Sequence, residues 1–246
     1  MSTTEHRLAV VTGASGGLGR ALAVELARRG FDVAVAARSP ERLAETGRRV
    51  EAEGRRAFVG VGDVTDWAFV SAWARTVVDQ AGPPTVVVNN AGQFVTGSLV
   101  DQDPAALAGM LSVATVGAAF VVKAFLPAML AKGSGHIVNV VSGAAAPGAA
   151  AHPRDTSTGY IVAKRALATL GHTLRLELRG RGIRVTNVYP VAFASATDLD
   201  DSDEAVRAAY GDRPVLSLRQ VTDAVIRLLD PDRPVVDEVV LSAEPL

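Results

Sequence analysis

The sequence predicts an α/β protein in which a doubly wound, parallel sheet of about seven strands is covered by helices on both faces. Short Val-rich runs alternate along the chain with longer amphipathic stretches. The runs mostly lack polar alternation, which is typical of strands buried on both faces of a parallel sheet. A glycine cluster follows the first run, where a doubly wound fold turns from strand to helix, and this disfavours a closed barrel.

The predicted elements follow one another without a repeat or a linker. Strands are predicted over 8–11, 33–36, 57–61, 86–88, 137–141, 183–188 and 239–241. Helices are predicted over 17–29, 40–53, 66–81, 104–131, 158–179 and 218–229. Ser39-Pro40 is a helix start, and Gly30, Gly54 and Gly180 stand where helices should end. We therefore expect residues 1–246 to form one domain, with substrate loops at about 143–159 and 190–216.

Composition limits the classes of function. The chain has 246 residues, 48% hydrophobic and 21% charged, which is ample for a buried core. Its formal net charge of −1 gives no sign of nucleic acid or an anionic membrane as a partner. The absence of cysteine excludes disulfides, thiolate metal ligands and a Cys nucleophile. The absence of cysteine is compatible with a reducing compartment, and the first seven residues contain no apolar signal region. For these two reasons we expect a cytoplasmic protein.

The longest apolar stretch, residues 110–130, has two interpretations. A segment of about 20 apolar residues is long enough to cross a membrane. A helix buried in a protein interface has the same pattern, and Lys123 and Pro127 within the stretch favour this second interpretation. We expect no membrane partner.

The glycine cluster predicts a dinucleotide site. Thr12-Gly13-Ala14-Ser15-Gly16-Gly17-Leu18-Gly19 leads from the first strand into a helix. Glycines permit a tight turn and close approach of a pyrophosphate, to which the helix N-terminus offers free N–H groups. The spacing is not the common Gly-x-Gly-x-x-Gly, so the alternative is a turn that only packs a helix on the sheet.

The residues after the second strand bear on the choice of cofactor. Arg38 and Ser39 stand where a carboxylate would bind the ribose 2′-hydroxyl of NAD(H). An arginine fork is suited to a phosphate, which favours NADP(H). The alternative is a solvated arginine.

A tyrosine and a lysine lie one helical turn apart in Tyr160-Ile161-Val162-Ala163-Lys164. This spacing puts the phenol and the ammonium on one face of a helix. A close ammonium lowers the pKa of a phenol from its usual value of about 10, so the pair could transfer a proton near neutral pH. Such pairs also arise by chance, and this one gains its significance from the motifs that precede it.

Together these motifs resemble the short-chain dehydrogenase/reductase family over nearly the whole length. The matching elements are Thr12-Gly13-x-x-x-Gly17-x-Gly19, Asp63-Val64, Asn89-Asn90-Ala91-Gly92, Ser142 and Tyr160-x-x-x-Lys164. The resemblance implies a Rossmann-type fold and an NADP(H)-dependent oxidoreductase that transfers a hydride between nicotinamide and a carbonyl/alcohol pair. It also implies a homotetramer or homodimer.

The resemblance further implies residue roles. Ser142 would hydrogen-bond the substrate oxygen, Tyr160 would move the proton, and Lys164 would hold the nicotinamide ribose and tune Tyr160. The expected cofactor-binding residues are Gly13, Ser15, Gly17, Leu18, Gly19, Arg38, Ser39, Asp63, Val64, Asn90, Ala91, Gly92, Tyr160, Lys164 and Pro190. The expected pocket residues, which suggest a mostly apolar carbonyl substrate, are Gln93, Phe94, His152 and Phe193. As alternatives, Asp63 could cap the following helix and Ser142 could simply end a strand.

Three departures from the family pattern keep other functions open. Ala114 replaces an asparagine that is thought to bend its helix, Val191 replaces a glycine, and the interval from Ser142 to Tyr160 is longer than usual. The first rival is a non-redox dehydratase, isomerase or cyclase on the same scaffold, and the second is a catalytically idle NADP(H)-binding protein. The four histidines show no metal-ligand spacing, so no metal is expected.

Overall fold

The computed structural model describes residues 7–148, 157–194, 211, 214–230 and 234–243. The strands are β1 Leu8–Thr12, β2 Asp32–Ala37, β3 Ala57–Val61, β4 Val86–Asn89, β5 Gly135–Val140, β6 Ile183–Pro190 and β7 Glu238–Leu241. They form one seven-stranded sheet in the order β3-β2-β1-β4-β5-β6-β7, and every pairing is parallel. The predicted doubly wound α/β architecture is confirmed, with the order reversing between β1 and β4.

Helices cover both faces of this sheet. They are α1 Gly17–Arg28, α2 Pro40–Ala52, α3 Trp67–Ala81, α4 Pro104–Leu111, α5 Ala118–Lys132, α6 Thr158–Glu177 and α7 Leu218–Leu228. One apolar core includes side chains of α1 and α7, and the core on the opposite face includes side chains of α3, α5 and α6. All residues of β1 and β2 are buried, which explains their lack of polar alternation.

The predicted helix over 104–131 is not one continuous α-helix. A π-helix, Ser112–Gly117, joins α4 to α5. Ala114 is buried there with Met110 and Ala163, and Gly117 lies so close to Val64 that a Cβ would approach its Cγ2 to 2.6 Å. The wider turn therefore occurs where this helix packs against α6 and the segment after β3.

The same stretch is the candidate for a membrane span. Among the described residues, Pro104–Lys132 is the one helical stretch that is long and apolar enough to cross a membrane, by length and composition alone. Its most apolar window has a mean hydropathy of 2.1 and is 33% buried. In this fold the stretch packs against α3 and α6.

Three asparagines cross the sheet in register. Asn89 of β4 donates to Asn139 of β5 at 2.9 Å, and Asn139 donates to Asn187 of β6 at 3.0 Å. Asn187 donates in turn to the carbonyl of Ala168 in α6 at 3.0 Å. Gly171 leaves room for this row, because a Cβ there would overlap the Asn187 side chain. The row links the strand ends of the sheet to α6.

Candidate active site

A cleft of about 530 Å³ opens at the carboxyl ends of the central strands. Ligands of open α/β sheets bind at this edge, beside the reversal of strand order. The residues that line the cleft are Gly13, Ser15, Ala36, Ala37, Arg38, Ser39, Arg42, Gly62, Asp63, Val64, Asn90, Ala91, Gly92, Gln93, Phe94, Val113, Val140, Val141, Tyr160, Lys164 and Phe193.

Most of the residues expected at the site lie in this cleft, and a few do not. Those outside its lining are Gly17, Leu18, Gly19, Ser142 and Pro190. Pro190 is the last residue of β6, where it pairs with Leu241 of β7. His152 falls outside the described residues. The lining residues that the sequence motifs did not identify are Ala36, Ala37, Arg42, Gly62, Val113, Val140 and Val141.

The turn between β1 and α1 packs directly against the segment after β4. Thr12 Oγ1 accepts from the backbone N–H of Asn90 (3.2 Å) and of Ala91 (3.1 Å). The Asn90 side-chain amide donates to the carbonyls of Thr12 (3.0 Å) and Gly13 (3.3 Å). Gly13 has a φ of 67°, and a Cβ there would lie 2.8 Å from Ala91 Cα. A Cβ on Gly19 would overlap the Gly13 carbonyl oxygen, so this close packing requires glycine at both positions.

Two arginines border one end of the cleft. The Arg38 side chain is 69% exposed and lies 4.0 Å from a carboxylate oxygen of Asp63. Arg42, which the sequence motifs did not indicate, lies in the first turns of α2 and lines the same cleft as Ser15 and Ser39. Planar guanidinium groups beside serine hydroxyls are suited to binding a phosphate.

A buried arginine connects the glycine turn to α2. Arg20 donates to the carbonyl of Ser15 at 2.6 Å and to that of Arg42 at 3.2 Å. It also donates to Thr46 Oγ1, which donates to the carbonyl of Ala14 at 2.7 Å. These bonds hold the phosphate-side turn and the start of α2 together.

The Asp63 carboxylate stabilises the turn that follows β3 at the cleft. Its carboxylate accepts from the backbone N–H of Thr65 (2.9 Å) and from the Thr65 hydroxyl (2.8 Å). The cap of α3 is Asp66, which accepts from Ala68 N and Phe69 N. The alternative that Asp63 caps this helix is therefore wrong.

The structure brings Ser142, Tyr160 and Lys164 together. Lys164 Nζ donates to the Val140 carbonyl at 2.8 Å and lies 5.9 Å from the centroid of the Tyr160 ring. The Ser142 side chain is hydrogen-bonded to the Tyr160 phenol and also accepts from Ala144 N at 3.3 Å. A hydroxyl, a phenol and an ammonium thus meet at the end of β5.

Burial dominates the proton affinities of this group. It raises the pKa of Tyr160, which the hydrogen bond from Ser142 partly offsets. It lowers the pKa of Lys164 to about 8. The expected lowering of the Tyr160 pKa by Lys164 is therefore wrong: burial raises this pKa, and the Lys164 ammonium donates to the Val140 carbonyl.

An aromatic pair lies beside this group of Ser142, Tyr160 and Lys164. The Phe94 ring contacts the Tyr160 ring edge to face, with centroids 4.9 Å apart and planes at 86°. Phe94 is still 54% exposed, so much of its ring remains open to a ligand. Phe193, Val113 and Val141 line the same cleft and make this part apolar.

The two substituted family positions are accommodated without filling the cleft. Val191 packs on Gly143, where a Cβ would lie 2.5 Å from Val191 Cα, and it does not line the cleft. Ala114 lies in the π-helix, and its neighbour Thr115 donates to the Ala163 carbonyl at 3.5 Å. Among the residues that the structure describes, no cluster of His, Cys, Asp and Glu could hold a metal ion.

Comparison with known proteins places these features in a family. The model of the short chain dehydrogenase family matches residues 7–206. An uncharacterized oxidoreductase of Myxococcus xanthus is 36% identical over 190 residues, which cover 77% of this chain and 73% of the relative. An alcohol dehydrogenase of the archaeon Thermococcus sibiricus, solved with 5-hydroxy-NADP, has a TM-score of 0.81, 27% identity and 97% coverage of both chains. An NAD⁺-bound xylitol dehydrogenase has a TM-score of 0.83 and 25% identity, covering 97% of this chain and 98% of its own.

Proposed function

The chain belongs to the short-chain dehydrogenase/reductase family, and from that premise we propose that it is an NADP(H)-dependent ketoreductase that acts on apolar carbonyl compounds. The observation that carries the proposal is the meeting of Ser142, Tyr160 and Lys164 beside a cleft that also contains the β1–α1 turn. A proton donor, a positioning hydroxyl and a buried cation at one point are the groups that carbonyl reduction needs from the protein.

The residues of the cleft fit an NADP(H) molecule. Gly13 has no side chain at the point where a pyrophosphate would approach the backbone. Arg38 and Arg42 offer two guanidinium groups to a 2′-phosphate. An ammonium has three N–H donors, so Lys164 can keep its bond to Val140 and still hold the hydroxyls of a ribose. When bound, the cofactor supplies the hydride.

The protein's own groups would handle the carbonyl oxygen. When the substrate binds, the Ser142 hydroxyl turns its one proton from the Tyr160 phenol to the carbonyl oxygen and orients it. Because burial raises the pKa of Tyr160, the phenol is a proton donor at neutral pH and delivers its proton to the oxygen as the alcohol forms.

The first experiment measures turnover. Wild-type protein is expected to oxidise NADPH in step with the loss of an aromatic or aliphatic ketone, and Tyr160→Phe should lower kcat by at least about 100-fold. NADPH should still bind to the variant, because the ring remains in place. Ketone conversion without any change in nicotinamide absorbance would favour the non-redox enzyme. NADPH binding without turnover of any ketone in a panel would favour the catalytically idle NADP(H)-binding protein.

A second experiment tests the choice of cofactor. Arg38→Asp removes a phosphate partner and adds a like charge, so NADPH should bind about 10- to 100-fold more weakly while NADH binding changes by less than about 3-fold. Arg75→Asp is the matched control, since Arg75 is exposed on α3 outside the cleft and the substitution changes the net charge equally. Unchanged NADPH affinity in Arg38→Asp would contradict the assignment.

We also propose that the protein is a cytoplasmic homotetramer or homodimer that binds neither nucleic acid nor membranes. Three small residues of the long apolar stretch, Ala114, Gly117 and Ala118, are buried within the chain itself and so are not free to pack between subunits. The exposed apolar side chains of Val116 and Val162 on neighbouring helical segments support an interface there instead. Light scattering should give a multiple of 25.5 kDa, and a 25.5 kDa species would refute the oligomer.

A further inference from the structure

One buried side-chain amide links the two segments on either side of the substrate end of the cleft. Gln102 is only 8% exposed, although it lies in the loop between β4 and α4. Its Nε2 donates to the Val95 carbonyl at 3.1 Å and to Ser157 Oγ, and its Oε1 accepts from Gly159 N at 3.2 Å. We call this set of contacts, between Gln102 and Val95, Ser157 and Gly159, the Gln102 joint.

The joint completes the start of α6, the helix that carries Tyr160. The first N–H groups of a helix have no partner within the helix. Ser157 Oγ accepts from Tyr160 N at 3.2 Å, and Gln102 accepts from Gly159 N. A Cβ on Gly159 would lie 2.6 Å from Leu107 Cδ1 and 2.8 Å from Gln102 Oε1, so the first turn of α6 packs tightly against α4 and the joint.

The other side of the joint holds the residue after Phe94. Because Val95 is tied to Gln102, the preceding Phe94 is held where its ring contacts Tyr160, with centroids 4.9 Å apart. We propose that Gln102 is a positioning residue that sets the separation of Phe94 from Tyr160 and so the width of the substrate end of the cleft. This inference rests on the proposed ketoreductase function.

Only an amide of this length makes both kinds of contact. Glutamate keeps the acceptor for the Gly159 N–H and accepts from the Ser157 hydroxyl once that hydroxyl turns from Met110 Sδ. It also sets a negative oxygen against the Val95 carbonyl. Methionine has a similar shape and makes none of these bonds. Gln102→Glu should therefore release the Phe94 side alone, and Gln102→Met should release both sides.

The test compares these variants in steady-state reduction of acetophenone at saturating NADPH. Gln102→Glu should raise KM about 10-fold with kcat within about 2-fold of wild type, because Tyr160 remains positioned. Gln102→Met should raise KM and also lower kcat by about 10-fold or more, because small misplacements of a catalytic group are costly. The NADPH dissociation constant should stay within about 2-fold in both.

The neighbouring Asp103 provides the control. Asp103 caps α4 by accepting from Ala106 N at 2.9 Å and is exposed. Asp103→Ala removes a helix cap beside Gln102 but none of the joint, so it should lower stability and leave KM and kcat unchanged. Equal kinetic losses in this control, or kinetics within about 2-fold of wild type in both Gln102 variants, would overturn the proposal.

A readout that needs no turnover separates this inference from the proposed function. Magnetisation transfer between selectively labelled Phe and Tyr rings should report the proximity of Phe94 and Tyr160 in wild type and in Asp103→Ala, and should vanish in Gln102→Met. Transfer that persists in Gln102→Met refutes the positioning role whatever the activity. If the transfer vanishes in that variant and the wild-type protein reduces no ketone, the joint is supported and the ketoreductase is refuted.

Discussion

Replacing Gly19 by alanine should disrupt the cofactor end of the cleft. A Cβ at this position would overlap the Gly13 carbonyl oxygen and lie 2.5 Å from Asn90 Nδ2. The Asn90 amide, which donates to the carbonyls of Thr12 and Gly13, would have to move. The turn and the cleft wall would separate at the point where a pyrophosphate is expected to bind.

The size of the effect follows from the hydrogen bonds that break and from the crowding. Two hydrogen bonds contribute about 1 kcal/mol each, and overpacking of a tight site costs about 1–3 kcal/mol. Gly19 lies within α1, so alanine returns up to about 1 kcal/mol of helix propensity. We expect Gly19→Ala to lower the free energy of unfolding by about 2–4 kcal/mol and to abolish measurable NADPH binding at micromolar concentrations.

Urea unfolding, read at constant m-value, and NADPH fluorescence titration are the assays. Gly16→Ala is the matched control, because Gly16 has an extended φ of 172° and its Cβ would meet only the flexible end of Arg42, at 2.5 Å. The control should change stability by less than about 1 kcal/mol and weaken NADPH binding more than NADH binding. If Gly19→Ala were as stable as wild type and bound NADPH normally, the packing argument would be refuted.

Three further predictions concern titration and packing. Burial lowers the pKa of Lys164 from 10.5 to about 8, so between these pH values the unfolded chain binds one more proton than the folded protein, and stability should rise with pH. The rise is measured by urea midpoints and should be absent in Lys164→Met. Burial and the charge of Arg184 lower the pKa of His136 from 6.5 to about 3, so the stability it contributes should be complete above about pH 6.5 and decline as the pH falls towards 3. His136→Gln should lose stability less steeply with falling pH than wild type, and the same dependence of stability on pH in both proteins would contradict the assignment. Gly171→Ala should lower the free energy of unfolding by about 2–4 kcal/mol, because its Cβ would overlap Asn187 and break the row of asparagines; an unchanged denaturation midpoint would refute this.

The fold could be predicted because its local signals agree with one another. The Val-rich runs of β1 and β2 became strands buried on both faces, whereas the edge strands β3 and β7 are only partly buried. Gly30, Gly54 and Gly180, which follow α1, α2 and α6, have a positive φ. The π-helix at Ser112–Gly117 could not be predicted, since it differs from an α-helix by one residue of register and depends on packing against α6. Periodicity does not report such a local insertion.

The candidate site was predictable where a motif specifies backbone or spacing, as at Gly13 and Tyr160. Arg42 was missed because α2 is rich in exposed arginines, and only the fold distinguishes the one that reaches the cleft. Gln102 was missed because a polar residue in a loop normally indicates solvent, and its burial depends on residues far along the chain. The predicted shift of the Tyr160 pKa was wrong in direction, because helical spacing identifies neighbouring side chains but not how deeply they are buried from water.

Following the hydride from nicotinamide to product shows whether the protein reduces a carbonyl group. Wild-type protein is given NADPH carrying deuterium at both positions of nicotinamide C4 together with acetophenone, and the alcohol is examined by mass spectrometry. We expect one deuterium on the carbinol carbon of every product molecule, with no product from Tyr160→Phe on the same time scale. Product that lacks deuterium, or equal product from Tyr160→Phe, would contradict it.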